Sequence, residues 1–164
     1  MSPRKIPKTL AMRLLERQNA PYEVIVFPDS IHDAQEVATF ASLPADHVYK
    51  TLVTRADNPR VKPLLVMVPA NRTLDLKKLA AAIGEKKAHM ASHADAEKLT
   101  GLKVGGISVL ALLNRGFSIY LDVAAEALDY IVVSAGQRGL NLKLSVTDLK
   151  RITGAQLIDV SSEH

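Results

Sequence analysis

Lys50 is the residue whose type and place could do chemistry. It interrupts Val48-Tyr49-Lys50-Thr51-Leu52-Val53, a run that otherwise reads as a buried strand. Side chains alternate along a strand, so Val48, Lys50 and Leu52 share a face that is apolar but for one ammonium. A buried ammonium is costly unless something pairs with it. Two solutions are open. A protein acid neutralises Lys50, with Asp122 one candidate, or the strand lines a cleft where an anionic or carbonyl-bearing ligand meets it.

Two glycine turns accompany the lysine. Gly101-Leu102-Lys103-Val104-Gly105-Gly106-Ile107-Ser108 is neither a Walker loop nor a GxGxxG fingerprint. Its adjacent Gly105 and Gly106 let a ligand approach the backbone closely and offer N–H donors, although a plain tight turn explains them equally well. Ala135-Gly136-Gln137-Arg138-Gly139 repeats the theme as a loop at another strand end and adds a guanidinium suited to phosphate. With Lys50, these turns outline a cleft for a carbonyl- or phosphate-bearing ligand.

Other chemistries have less behind them. His89 and His93 are four apart, but Ser92 between them reads as a helix N-cap, so the spacing is not helical, and there is no HExxH pattern. Exposed polar histidines account for both, and no metal or cofactor is expected. His32, close to Asp29, Asp33 and Glu36, either orients a substrate group or is an ordinary turn histidine. Ser108 and Ser134 lie outside any GxSxG elbow. Acid pairs such as Asp122 with Glu126 read as solvated charge.

The elements that must position these residues interleave along the chain. Helical spacing covers Thr9 to Arg17, and a β-rich run follows over Tyr22 to Phe27. Asp33 can cap a helix through Ala41, and a turn at Leu43 to Asp46 delivers the chain into the Lys50 strand. A loop at Arg55 to Arg60 leads to the apolar strand Leu64 to Val68. Thr73 or Asp75 can cap the helix Leu76 to Ile83, and Ser92 with Asp95 starts a short helix to Leu99. Strands are expected at 118–122, 130–134 and 142–144, then a helix near 148–152 capped by Ser145 or Thr147, with 156–160 ending the fold.

The sequence has 164 residues, 48% hydrophobic and 23% charged, which fits one globular domain over 1–164. Strands do not alternate cleanly with long helices, so a doubly wound dinucleotide fold is disfavoured. Aromatics are 4%, which argues against extensive base stacking. Zero cysteines exclude disulfides, thiolate metal sites and a cysteine nucleophile. The basic start, Met1 to Lys8, is not followed by an apolar signal core, and no stretch is long and apolar enough for a membrane helix. A cytoplasmic protein with no membrane partner is expected. The net charge of +4 is a mild invitation to a polyanion.

Four segments, in this order, resemble the YbaK family of aminoacyl-tRNA deacylases, which is related to the editing domain inserted in bacterial prolyl-tRNA synthetases. They are Val48-Tyr49-Lys50-Thr51-Leu52, Leu74-Asp75-Leu76-Lys77-Lys78, Val104-Gly105-Gly106-Ile107-Ser108 and Val133-Ser134-Ala135-Gly136-Gln137-Arg138-Gly139-Leu140. Each is weak alone; the ordered set is specific and spans nearly the whole chain. The resemblance implies an α/β fold of the α+β type: a strongly curved mixed sheet, partly barrel-like, ringed by short helices. It also implies a reaction, hydrolysis of a mischarged amino acid from the 3′ end of tRNA.

Residue by residue, the resemblance makes Lys50 the catalytic lysine. Phe27, Thr51, Gly105, Gly106, Ser134 and Asn141 become substrate-binding residues. Phe27 stands where cysteine-specific relatives carry a tyrosine, and Asn141 where they carry an aspartate, so both bear on amino-acid specificity. Lys50 and the N–H groups around Gly105-Gly106 would stabilise the oxyanion of the attacked ester. The attacker would be water or, for cysteine, the substrate's own thiol. Arg138, Lys77 and Lys78 are the candidates for contact with tRNA. The implied substrate is Cys-tRNA(Pro). The alternatives are another small amino acid such as alanine on tRNA(Pro), or a binding module of little activity. The expected partners are tRNA and a prolyl-tRNA synthetase, and the expected state is a monomer.

Overall fold

The computed structural model describes residues 6–164; Met1 to Lys5, the first part of the basic start, lie outside the described residues. Helix α1 (Leu10–Arg17) begins at Thr9, whose hydroxyl accepts from the Met12 N–H, and it buries Ala11, Met12 and Leu15. Strand β1 (Glu23–Val26) and helix α2 (Ala34–Phe40) follow, with the Asp33 carboxylate capping α2 at the Gln35 N–H. Strands β2 (Tyr49–Ala56), β3 (Leu64–Pro69) and β4 (Arg72–Leu74) lead to helix α3 (Leu76–Ile83). Asp75, not Thr73, caps α3, accepting from the N–H groups of Lys77 and Lys78. Next come β5 (Ala88–Met90) and α4 (His93–Thr100), which Ser92 caps at the Asp95 N–H. After a long loop, β6 (Ser118–Asp122) ends in a 3-10 turn over Val123–Ala127. The chain closes with β7 (Tyr130–Gln137), β8 (Leu140–Ser145), α5 (Val146–Thr153), β9 (Gln156–Ile158) and β10 (Ser161–Glu163).

These strands form three sheets. One has five strands in the order β5-β2-β3-β6-β9, antiparallel at β5-β2 and β2-β3 and parallel at β3-β6 and β6-β9. Another is antiparallel, β1-β8-β7, and the third pairs β4 with β10. The expected mixed α/β architecture is present, but the five-stranded sheet runs from edge strand β5 to edge strand β9 and closes no barrel. Strand β3 is buried along its whole length because it has neighbours on both edges and cover on both faces. Leu65 and Met67 enter the main core with Leu121, Ile131 and Leu142, whereas Leu64, Val66 and Val68 pack with Leu79 of α3 and Val160.

One junction positions the site. A single parallel bridge, Val48 with Val132, joins the five-stranded sheet to the three-stranded one, and the Val132 N–H donates to the His47 carbonyl at 2.8 Å. Two residues beyond it on each strand stand Lys50 and Ser134. With a period of two, both keep the orientation set at the bridge.

Where structure and sequence reading differ, the reasons are physical. The 135–139 loop is largely strand: β7 runs to Gln137 through an irregularity between Ser134 and Gln137, leaving Arg138 and Gly139 as the turn. Strands β4, β5 and β10 have three residues each, too few to carry an alternation signal. Ser145, not Thr147, caps α5.

Candidate active site

A cleft of about 190 Å³ opens where the two larger sheets part. Its walls are Tyr49, Lys50, Thr51 and Leu52 of β2, Phe27 after β1, His32 and Asp33 before α2 with Ala34 and Val37 in it, Val104, Gly105 and Ile107 of the glycine loop, Ser134 of β7 and Asn141 of β8. Phe27, Lys50, Thr51, Gly105, Ser134 and Asn141, all singled out in the sequence, therefore face one space.

Lys50 is half-buried, and its Nζ donates to the Arg72 carbonyl at 2.8 Å. No carboxylate among the described residues lies within ion-pair distance of it. Burial pushes the ammonium below its ordinary value, and the charge of Asp33 works in the opposite direction. Asp122 is not its partner. That carboxylate is buried and spent on the N–H groups of Ala124 and Val160. Tyr49 reaches into the main core, where its hydroxyl has no partner; burial, aided by the Asp122 charge, pushes its ionisation upward.

The carbonyl that receives Lys50 is itself held from behind. Arg72 Nε donates to Ser161 Oγ at 2.6 Å and its terminal nitrogen to the Ser161 carbonyl at 3.2 Å. Lys78 Nζ donates to the same carbonyl at 2.9 Å and pairs with Asp159 at 3.3 Å. Strand β10 thus fixes β4, and β4 fixes the lysine.

The two glycines have different tasks. Gly105 lines the cleft with φ +90°, and a Cβ there would stand 3.1 Å from the Cβ of His32. Its N–H makes no hydrogen bond to the described residues. Gly106 stands behind the wall: its N–H is spent on the Lys103 carbonyl at 2.7 Å, so it is not a free donor. A Cβ on Gly106 would lie 3.0 Å from the backbone of Gln137 and Arg138, so the residue lets the loop press against the β7–β8 turn. Arg138 braces that contact, its Nε donating to the Val104 carbonyl at 2.7 Å.

Across the cleft, Ser134 and Asn141 are paired in register on β7 and β8. Ser134 Oγ accepts from the Gly136 N–H at 3.2 Å, and the buried Asn141 amide bonds to none of the described side chains. Lys77 and Lys78 lie outside the cleft on α3, Lys77 exposed and Lys78 engaged as described. His89, on β5, bonds to Asp57 at 2.9 Å, and no group of three metal-ligating side chains occurs among the described residues.

Sequence reasoning missed Asp33 and Val37 as walls, and saw Val104, Ile107 and Leu52 only as parts of motifs. Asp33 read as a helix cap, which it is; nothing local to it says that α2 starts beside β2.

A family model, the aminoacyl-tRNA editing domain, matches residues 28–152, a span that includes Lys50, the glycine loop, Ser134 and Asn141. This chain belongs to that family. Over 159 residues it is 34% identical to the "Putative Cys-tRNA(Pro)/Cys-tRNA(Cys) deacylase EbsC" of Enterococcus faecalis, covering 96% of this chain and 95% of that one. It is 31% identical over 113 residues to the proline–tRNA ligase of Staphylococcus saprophyticus, 69% of this chain but only 19% of the ligase. Two solved structures share the editing-domain fold. The first, described as a "putative trans-editing enzyme for prolyl tRNA synthetase", superposes with a TM-score of 0.77 at 22% identity over 99% of both chains. The second, a hypothetical protein named APE2540, superposes with a TM-score of 0.83 at 20% identity over 93% of this chain and 99% of that one.

Proposed function

We propose that this editing domain hydrolyses the ester of mischarged aminoacyl-tRNA, with Cys-tRNA(Pro) its first substrate. The name of its E. faecalis relative and the ligase match support that choice. The observation that carries the reading is Lys50: a half-buried ammonium in a cleft, held by a neutral carbonyl rather than by a carboxylate. An ammonium so placed keeps its charge for a ligand. The Gly105 N–H, on the facing loop and without a partner among the described residues, is the natural second donor.

In this mechanism the two donors hold the carbonyl oxygen and stabilise its negative charge as the nucleophile adds. The ester needs no strong protein nucleophile, because the electron-withdrawing α-ammonium already makes its carbonyl carbon electrophilic and the held oxyanion lowers the barrier to addition. Water adds to the carbonyl carbon, the bond to the 3′ ribose oxygen breaks, and that oxygen takes a proton. With cysteine, the substrate thiol can add instead, giving a thiolactone and a free 3′ hydroxyl. Phe27 supplies an apolar wall, and Asn141 with Ser134 a polar one, around a space that suits a small side chain. Incubation with Cys-tRNA(Pro) and Ala-tRNA(Pro) tests the reading. Release of either amino acid supports a deacylase, binding without release supports a binding module, and the absence of both binding and release points to a structural role for Lys50.

A further inference from the structure

An aminoacyl ester differs from most esters in carrying a positive charge two bonds from the reacting carbonyl. A cleft that offers only a lysine would repel that charge at the moment it receives the carbonyl oxygen. Among the described residues, the cleft has one carboxylate in its walls, Asp33. One of its oxygens, Oδ1, caps α2 through the Gln35 N–H at 3.2 Å. No other group among the described residues bonds to the carboxylate, and no lysine, arginine or histidine lies within 4.0 Å of it. Its second oxygen is therefore available. Asp33 lines the same small space as Lys50, close enough that its charge acts on the ammonium, and it also borders a neighbouring surface hollow with Gln35 and Glu36. His32, the neighbouring wall residue, is directed elsewhere, with its Nε2 3.0 Å from the Asp29 carbonyl.

We propose that Asp33 is the specificity-determining residue that binds the α-ammonium of the aminoacyl group. The cleft then mirrors its substrate: Lys50 meets the oxygen that becomes negative, and Asp33 meets the nitrogen that is already positive. This rests on the deacylase reading for its biological meaning and has a consequence for substrate choice. A peptidyl-tRNA or an N-formylated aminoacyl-tRNA carries a neutral amide at that nitrogen, so it leaves Asp33 unpaired and Lys50 without its balancing charge. The cleft accepts free aminoacyl ends and rejects N-acylated ones.

The test is a binding comparison that needs no turnover. Two adenosine analogues are used, 3′-deoxy-3′-(L-alanylamino)adenosine and its L-lactylamino counterpart, in which a neutral hydroxyl replaces the ammonium. At pH 6.5 the first carries its charge. By titration calorimetry the wild-type protein binds the alanyl compound about tenfold more tightly than the lactyl one, the preference expected of a charge-assisted contact. In Asp33→Asn the ratio falls to within about twofold while the lactyl affinity is kept; asparagine caps helices as well as aspartate, so α2 is preserved. A wild-type protein that does not distinguish the two, or an Asp33→Asn protein that keeps the tenfold ratio, overturns the proposal. Deacylation of mischarged tRNA is measured separately. Its failure removes the hydrolytic reading, whereas the binding ratio alone judges Asp33.

Discussion

Lys50 keeps a charge in a place that discourages charge, and its titration should reveal the fact. Burial lowers its proton affinity below the ordinary 10.5, with the Asp33 charge opposing. Between that lowered value and 10.5 the unfolded chain binds more protons than the native one. The burial penalty is therefore fully present below this window, and stability from this group rises as pH climbs through it. Trace acetylation of Lys50 followed by mass spectrometry across pH 7 to 11 should give a midpoint below 10.5. In Asp33→Asn, which loses the opposing charge, the midpoint should move lower still; a midpoint at or above 10.5 would contradict the burial account. Gly106 offers a second residue-scale test. Its missing Cβ is replaced by backbone of the β7–β8 turn at 3.0 Å, and backbone yields less readily than a side-chain tip. Gly106→Ala should cost about 1–3 kcal/mol in urea unfolding, the usual penalty of overpacking. A loss under a few tenths would mean that the turn is softer than the contact suggests.

At the scale of elements, the lysine is positioned by a relay of strands. Strand β4 has β10 as its sheet partner, and Ser161 receives both Arg72 and Lys78. Arg72→Ala removes the side-chain half of that clasp but leaves the backbone carbonyl in place. The expected outcome is a several-fold lower kcat with KM little changed, since the lysine is then less well held in the transition state. A fall in stability with kcat intact would instead assign the clasp to folding alone. This relay also marks the limit of what the chain reveals when read as a string. The long or strongly patterned pieces were legible: β3 by its unbroken apolar run, α3 by its helical run behind a cap that could be Thr73 or Asp75, and β2 by the lysine that violates its face. Strands β4 and β10 were not, because three-residue strands are defined by their partners rather than by their own pattern. Asp33 looked like a cap and nothing more, because only the tertiary fold brings the start of α2 to the edge of β2.

At the scale of the molecule, the net charge of +4 suits a polyanionic partner, and tRNA affinity should fall as salt rises. The proposed contacts differ in their availability. Lys77 is exposed, whereas Lys78 is committed to Asp159 and Ser161, and Arg138 to Val104. Lys77→Ala should therefore reduce the slope of log affinity against log salt by about 0.7–0.9 with the melting temperature unchanged. An unchanged slope would remove Lys77 from the interface. The glycine loop, Lys50 and the Arg138 turn were legible as fragments of one cleft; how many would face each other was not, and Gly106 and Arg138 proved to brace the wall. The account stands most directly on single-turnover deacylation of Cys-tRNA(Pro), with Ala-tRNA(Pro) beside it, by the wild-type protein and by Lys50→Ala. It predicts release of the amino acid by the wild type and a rate about 10²–10³-fold lower in the variant, the cost of losing one donor to the oxyanion. A Lys50→Ala protein that deacylates at the wild-type rate would contradict it.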